Sequence, residues 1–218
     1  SVAKKMLDIP YKSKKYGSEG YHLPFLNGAR EALESKDTTG VSIQANKEWA
    51  RIDCDGYTIH SRVFAELFPN NGSGHFHRDT GSFTLSYKGE KVIVDAGRYD
   101  YSNEGIPLFQ KSCLGHNQIN VDGRCPEVTM RRFYSTEYLR HLLGDCPKIS
   151  QTENSIKMVY GGGHIIKGVG KFERTIRIDN GVVIIKDKVA GKGKHIIKLP
   201  LHIHPDFKVD IDKKTFII

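Results

Sequence analysis

From Gly40 onward the sequence consists of short β-prone segments, about 10 to 12 residues apart, with turn residues between them. Asp122-Gly123 and Asn180-Gly181 are typical of tight hairpin turns, because these residue types tolerate a positive φ. This spacing, with no longer internal repeat, predicts an all-β fold built as an antiparallel β-sandwich. The predicted strands cover residues 41–45, 49–53, 57–68, 82–87, 91–95, 118–121, 155–160, 172–178, 182–189, 194–203 and 207–211.

Residues 1–37 do not share this pattern. They contain Lys-rich and Gly-rich pieces and one stretch, residues 26–33, with the spacing of a short helix. We predict an irregular or partly helical N-terminal segment, a linker or extension from an upstream region, followed by a sandwich domain over residues 38–218. The chain starts at Ser1 with neither Met nor an apolar signal segment, as a piece of a longer protein would. Residues 103–114 are predicted to form a long loop, a place where function often lies.

Composition limits the classes of partner. No apolar run approaches the roughly 20 residues of a membrane helix, so no membrane partner is expected. The net charge is +8, and residues 148–218 hold 14 basic and 7 acidic side chains, which favours a polyanion as partner. Aromatic residues do not alternate with these lysines, so nucleic acid is not expected. The four cysteines form no C-x-x-C pair, which disfavours a zinc ribbon and leaves disulfide pairing open.

Histidines and one aspartate form the most unusual constellation. His75 and His77 lie two residues apart and would project from one face of a strand. Asp95 ends an apolar segment, and His116 precedes another. Imidazole nitrogens with one carboxylate suit zinc, although the long spacing between these residues is more typical of ordinary turn positions and satisfied polar groups.

Two motifs carry a family resemblance. The run GHFHRDTGSFTLSYKGEKVIVDAGRYDY, followed by SCLGHNQINVDG, resembles the β-sandwich region of the heparinase II/III-like polysaccharide lyases. The resemblance extends more weakly through FERTIRIDNGVVIIKDKV and LPLHIHPDFKV, and so spans about residues 57 to 210. It implies a sandwich of the supersandwich type, and an acidic polysaccharide as partner in the periplasm or outside the cell.

The resemblance also assigns roles to residues. It implies that His77, Asp95 and His116 hold Zn²⁺, or another divalent cation, and that His75 takes part in catalysis. Tyr99, Tyr101 and Arg78 are further candidates for substrate binding. The family's other catalytic groups, a Tyr acid and an Asn or His that neutralises the uronate, come from an upstream (α/α) toroid domain. This chain has no such helical array, so we expect it to be inactive in isolation.

Two functions remain open from the sequence. In the first, the chain is the β-sandwich portion of a polysaccharide lyase that cleaves uronic-acid-containing polysaccharide by β-elimination, with a structural zinc site next to the catalytic His75. In the second, it is a non-catalytic carbohydrate-binding or assembly module of the same fold.

Overall fold

Thirteen strands and two short helices make up the part of the chain that the structure describes. The structure is a computed structural model that describes residues 40–64, 77–127, 134–212 and 215–217. The predicted N-terminal extension, residues 1–37, lies outside this part. In chain order the elements are β1 Ser42–Ala45, β2 Trp49–Cys54, β3 Tyr57–Arg62, β4 Phe83–Tyr87, β5 Glu90–Ile93, α1 Gly105–Lys111, β6 Asn120–Val121, α2 Thr136–Leu143, β7 Lys148–Gln151, β8 Ser155–Gly161, β9 Val169–Asp179, β10 Val182–Gly191, β11 Ile197–Lys198, β12 Asp210–Asp212 and β13 Thr215–Ile217.

Two antiparallel sheets form the body of the fold. The first has the order β1-β2-β3-β4-β5 and the second the order β10-β9-β8-β7. Tight turns join neighbouring strands, and Asn180 and Gly181 between β9 and β10 take positive φ values of 50° and 73°, as the dipeptide predicted. Two small ribbons, β6 with β11 and β12 with β13, complete the strands of the described residues.

Apolar side chains from both sheets share one core. Along β2 and β8 every second side chain is buried, which is the period of a strand with one face turned to a core. Ile52 and Ile59 of the first sheet belong to the same buried cluster as Met158 and Ile176 of the second. The predicted antiparallel β-sandwich is therefore confirmed.

The helices depart from the prediction. Residues 103–114, expected to be a loop, contain α1 followed by a 3-10 turn at Cys113–Gly115. Pro107 is compatible with α1 because it lies in the first turn, where the backbone N–H groups have no helical partner. Helix α2, which was not predicted, begins after Ser135, whose side chain accepts a hydrogen bond from the Tyr138 N–H.

Several predicted strands differ in extent. The segment predicted from residue 57 to 68 ends as a strand at Arg62, and residues 65–76 lie outside the described part. The segment at 194–203 supplies only β11 and a single bridge between Ile203 and Ile93. Pro200 lacks a backbone N–H for a sheet, so it limits pairing there.

The four cysteines differ in their bonding. Cys113 and Cys125 form a disulfide, whereas Cys54 and Cys146 are free thiols.

Within the described residues, no helix combines the length and the apolar character needed to span a membrane.

Candidate functional site

Three of the predicted site residues come from separate loops and lie together. Asp95 follows the end of β5, His116 follows the 3-10 turn, and His77 precedes β4. His116 Nδ1 lies 2.6 Å from Asp95 Oδ2, and the ring centroids of His77 and His116 are 5.2 Å apart. His75, the predicted catalytic residue, lies outside the described residues.

Asn117 fixes the backbone that carries this cluster. Its fully buried side chain donates through Nδ2 to the carbonyls of Phe83 and Val94, at 2.9 and 2.8 Å. Its Oδ1 accepts a hydrogen bond from the His202 N–H at 2.8 Å. The ends of β4 and β5 and the segment around His202 are thereby held around one side chain, next to His116.

The charges of Asp95 and His116 stabilise each other. Burial is the largest single effect and would raise the pKa of the Asp95 carboxyl, but the hydrogen bond and charge of His116 and the Gly97 N–H together lower that pKa. Burial alone would lower the pKa of His116, but the same bond and the Asp95 charge raise it. We therefore describe the pair as a His116 ring that donates from Nδ1–H to the Asp95 carboxylate. Asp95 Oδ1 accepts a further hydrogen bond from the Gly97 N–H at 2.8 Å.

The pKa of His77 is shifted in the opposite direction from that of His116. Burial lowers its pKa, and the positive charges of His116 and Arg98 lower it further. A neutral imidazole retains a lone pair, so His77 is suited to accept a proton or to ligate a metal ion.

The zinc prediction can be tested against this geometry. Two imidazoles and a carboxylate are the donor types that zinc prefers, and His116 Nε2 is buried with no hydrogen-bond partner among the described residues. However, two donors on one tetrahedral zinc ion would be about 3.3 Å apart, given bonds of about 2.0 Å. The 2.6 Å contact between Asp95 and His116 is shorter than that.

No three His, Cys, Asp or Glu side chains in the described residues are arranged to hold a metal ion. The donor set therefore fits zinc in kind but not in arrangement. Its arrangement is that of a hydrogen-bonded pair beside a third ring, and this pair would have to open to bind an ion.

Asp79 and Arg78 lie beside the cluster. Asp79 Oδ2 accepts a hydrogen bond from Arg62 Nη1 at 3.0 Å, and burial raises the pKa of the Asp79 carboxyl. The half-buried Arg78 directs Nη1 toward Cys125 Sγ at 3.6 Å, and its carbonyl accepts a hydrogen bond from Gln118 Nε2. The role of Arg78 in substrate binding stays a prediction.

Tyr99 and Tyr101 are on the loop that follows Asp95. Their exposed fractions are 78% and 62%, so both rings are accessible to a ligand. The Tyr101 ring also lies beneath the Arg98 guanidinium, with the Cζ atom 3.8 Å from the ring centroid. Binding of a sugar by either ring stays a prediction.

Arg174 supports the site, and the sequence reasoning missed it. It is completely buried on β9 and forms two hydrogen bonds with Asp187, at 2.7 and 2.9 Å. Nη1 donates to the carbonyls of Gly81 and Asn117, at 2.8 and 2.5 Å. The available signal was the pair itself, because Arg174 and Asp187 are opposite each other across the hairpin that turns at Asn180-Gly181.

Comparison with known protein families finds one family model that matches this chain. The family model described as heparinase II/III-like, C-terminal, matches residues 60–218. No curated protein matches the chain.

Solved structures share the fold. A heparinase III, the BT4657 gene product, has 16% identity and a TM-score of 0.56, over 82% of this chain and 26% of that one. The heparan sulfate lyase HepC from Pedobacter heparinus has 16% identity and a TM-score of 0.55, over 85% of this chain and 28% of that one. Another heparinase III structure has 13% identity and a TM-score of 0.53, over 80% and 27%. The chain thus spans about a quarter of the length of these structures, and at such identities the likeness shows the fold alone.

Proposed function

The chain belongs to the heparinase II/III-like family, through the C-terminal domain of that family, and on this premise we propose that it is the β-sandwich portion of a polysaccharide lyase. The proposed reaction is β-elimination in a uronic-acid-containing acidic polysaccharide. The observation that carries the proposal is that the family match includes His77, Asp95 and His116, and these three side chains lie together on the sandwich.

The chemistry defines what such a site has to supply. The C5 proton of a uronate is only weakly acidic, so the adjacent carboxylate has to be neutralised to stabilise the developing anion. A base then removes the proton, and an acid protonates the departing glycosidic oxygen. We assign His75 to proton handling, since an imidazole changes its charge near neutral pH. His75 lies two residues from His77 in the sequence.

A divalent cation is a further part of the proposal. Zn²⁺ would be held by His77, Asp95 and His116 after the hydrogen bond between Asp95 and His116 has opened. The ion would supply a fixed positive charge that orders the three loops. The three donor side chains lie together although they are far apart in the chain, and this supports the assignment.

Metal content tests this assignment separately from activity. The purified 218-residue chain is equilibrated with a low concentration of Zn²⁺ and assayed for bound metal. We expect one ion per wild-type chain and none in the variant His116→Gln. His141→Gln, on α2 and outside the cluster, is the matched control and should keep the ion. A wild-type chain without bound metal would refute the zinc assignment and leave the fold assignment intact.

An upstream domain is the expected partner within the full-length protein. We propose that an (α/α) toroid supplies the acid and the group that neutralises the uronate. The share of the solved structures that this chain covers, 26% to 28%, supports a larger whole. The disulfide supports a periplasmic or extracellular site of action, since such bonds persist in oxidising compartments.

The lyase activity itself is tested on the full-length protein. It is incubated with heparan-type, alginate-type and capsular polysaccharides, and the unsaturated product is followed by its ultraviolet absorbance. We expect product from at least one of these polymers and its loss in His75→Ala. Binding of a polymer without product would instead select the non-catalytic carbohydrate-binding module.

A further inference from the structure

Arg98 has no assigned role, yet it lies on the loop that follows Asp95 and is held in place by its surroundings. We propose that Arg98, stacked on Tyr101, forms an anion-binding subsite that takes one carboxylate or sulfate group of an acidic polysaccharide. The inference rests on the proposed function for the nature of the polymer, but anion binding by Arg98 can be measured without catalysis.

The guanidinium group of Arg98 is oriented by two contacts. Its Cζ atom lies 3.8 Å from the centroid of the Tyr101 ring, which is the geometry of a cation–π contact. Its Nε donates to the Asp100 carbonyl at 3.3 Å. The side chain is half-buried, so its orientation is restricted while a ligand can still approach it.

The loop beneath Arg98 is itself fixed by α1. Gln110, which is 9% exposed, accepts from the Tyr99 N–H through Oε1 and donates from Nε2 to the Ala96 carbonyl, both at 2.7 Å. The Lys111 ammonium donates to the carbonyls of Tyr101 and Ser102, at 3.1 and 2.8 Å. A binding group on such a loop loses little conformational freedom when a ligand arrives.

Arg98 differs from Arg62, another half-buried arginine, in its partners. Arg62 forms an ion pair with Asp79 at 3.0 Å. Within the described residues, Arg98 forms no ion pair with a carboxylate, and its buried Nη2 has no hydrogen-bond partner. A guanidinium group without a carboxylate partner keeps its positive charge available to an anion at the exposed part of the side chain.

The position of Arg98 ties it to the site. Arg98 lies three residues after Asp95, on the loop that follows β5. A guanidinium group pairs with the two oxygens of a carboxylate, and equally with those of a sulfate, through parallel hydrogen bonds. The exposed Tyr101 ring next to it offers an apolar face against which a sugar ring can lie.

Binding of defined oligosaccharides to the 218-residue chain tests the proposal by calorimetry. The probes are an unsulfated uronic-acid hexasaccharide, its sulfated counterpart and its neutral, carboxyl-reduced counterpart. We expect a charged probe to bind wild type, and Arg98→Gln to weaken that binding about tenfold. The affinities of the sulfated and unsulfated probes, compared with each other, identify whether Arg98 binds a sulfate or a carboxylate. Arg140→Gln, an exposed arginine on α2, removes the same charge elsewhere and should change affinity less than twofold.

Tyr101 supplies a second pair of variants. Tyr101→Phe keeps the ring under Arg98 and should bind like wild type, whereas Tyr101→Ala should bind several-fold more weakly. Circular dichroism confirms that each variant is folded.

Equal losses in Arg98→Gln and Arg140→Gln would overturn the proposal, because binding would then follow net charge. Binding of the neutral probe as tightly as the charged ones, or of none of the three, would also overturn it. Failure of the lyase assay with an intact Arg98 effect would reject β-elimination alone.

Discussion

His116 Nδ1 donates to Asp95 Oδ2 across 2.6 Å, although 21 residues separate them in the chain. The His116 side chain is only 1% exposed, whereas that of Asp95 is 34% exposed. A buried imidazole is thus hydrogen-bonded to a carboxylate that reaches the surface. This pair links the loop after β5 to the loop after α1, and so defines the centre of the candidate site.

Arg174 is predicted to be essential for stability. Arg174→Met leaves Asp187 and the carbonyls of Gly81 and Asn117 without their donor, and we expect a loss of about 3 kcal/mol in the free energy of unfolding. Arg177→Met is the matched control on the same strand. Its ion pair with Asp179 is about 40% exposed on both sides, so its loss should cost less than about 1 kcal/mol. Urea denaturation measures both, and equal losses would contradict the role of Arg174.

Alanine substitutions at Gly81 and Gly89 separate the cost of a side-chain clash from the cost of backbone strain. Both have a φ of +84°, but a Cβ atom at Gly81 would lie 2.5 Å from the buried Tyr160 ring, whereas one at Gly89 would meet nothing within 4 Å. Gly89→Ala should cost about 1 kcal/mol from backbone strain alone. Gly81→Ala should cost about 1–3 kcal/mol more, because the ring is enclosed by the core. Chemical denaturation of both variants would disprove this account if the two losses were the same.

The disulfide closes a segment that contains His116. Joining Cys113 to Cys125 restricts the unfolded chain across a sequence separation of 12. Cys113→Ser/Cys125→Ser should lose about 3 kcal/mol of stability, and a reductant should act in the same direction on wild type. Cys146→Ser, which removes an exposed free thiol, should change stability little. Insensitivity of wild type to reductant during unfolding would argue against this bond.

His202 predicts a pH dependence of stability. Burial lowers the pKa of His202, and its Nε2–H donates to the Leu114 carbonyl at 3.0 Å. The folded chain therefore binds a proton at this ring less readily than the unfolded chain, whose histidine has a pKa of about 6.5. The stabilising contribution is complete above that pH and is lost as the pH falls toward the folded-state pKa.

The comparison with His202→Gln isolates this contribution, since the amide keeps a donor. We expect the stability difference, wild type minus variant, to decrease between pH 7 and pH 5. A difference that stays constant or grows as the pH falls would reverse the predicted sign.

The two sheets could be predicted because alternating burial has a direct counterpart in the sequence. Segments such as the one around Met158 show every second side chain apolar, and turn dipeptides mark where the strands end. The short helix α1 has only seven residues, too few turns to show a clear period, and it carries Pro107. The sequence therefore predicts a loop where the structure has a helix.

The candidate site could be predicted only through the family resemblance. His77, Asp95 and His116 are far apart in the chain, and their contacts depend on how the loops meet at the ends of the strands. Arg174 was missed because an arginine in a strand normally indicates an exposed position. Only the packing of β9 against the site loops shows that it is buried and that it donates to their carbonyls.

The proposed lyase function is tested by the rate at which the full-length protein releases unsaturated product from its preferred acidic polysaccharide. Wild type is compared with His116→Gln and with the control His141→Gln. The account predicts product from wild type and from the control, with a loss of at least about a hundredfold in His116→Gln. Wild-type activity in His116→Gln, or no unsaturated product from wild type with any uronic-acid polymer, would contradict it.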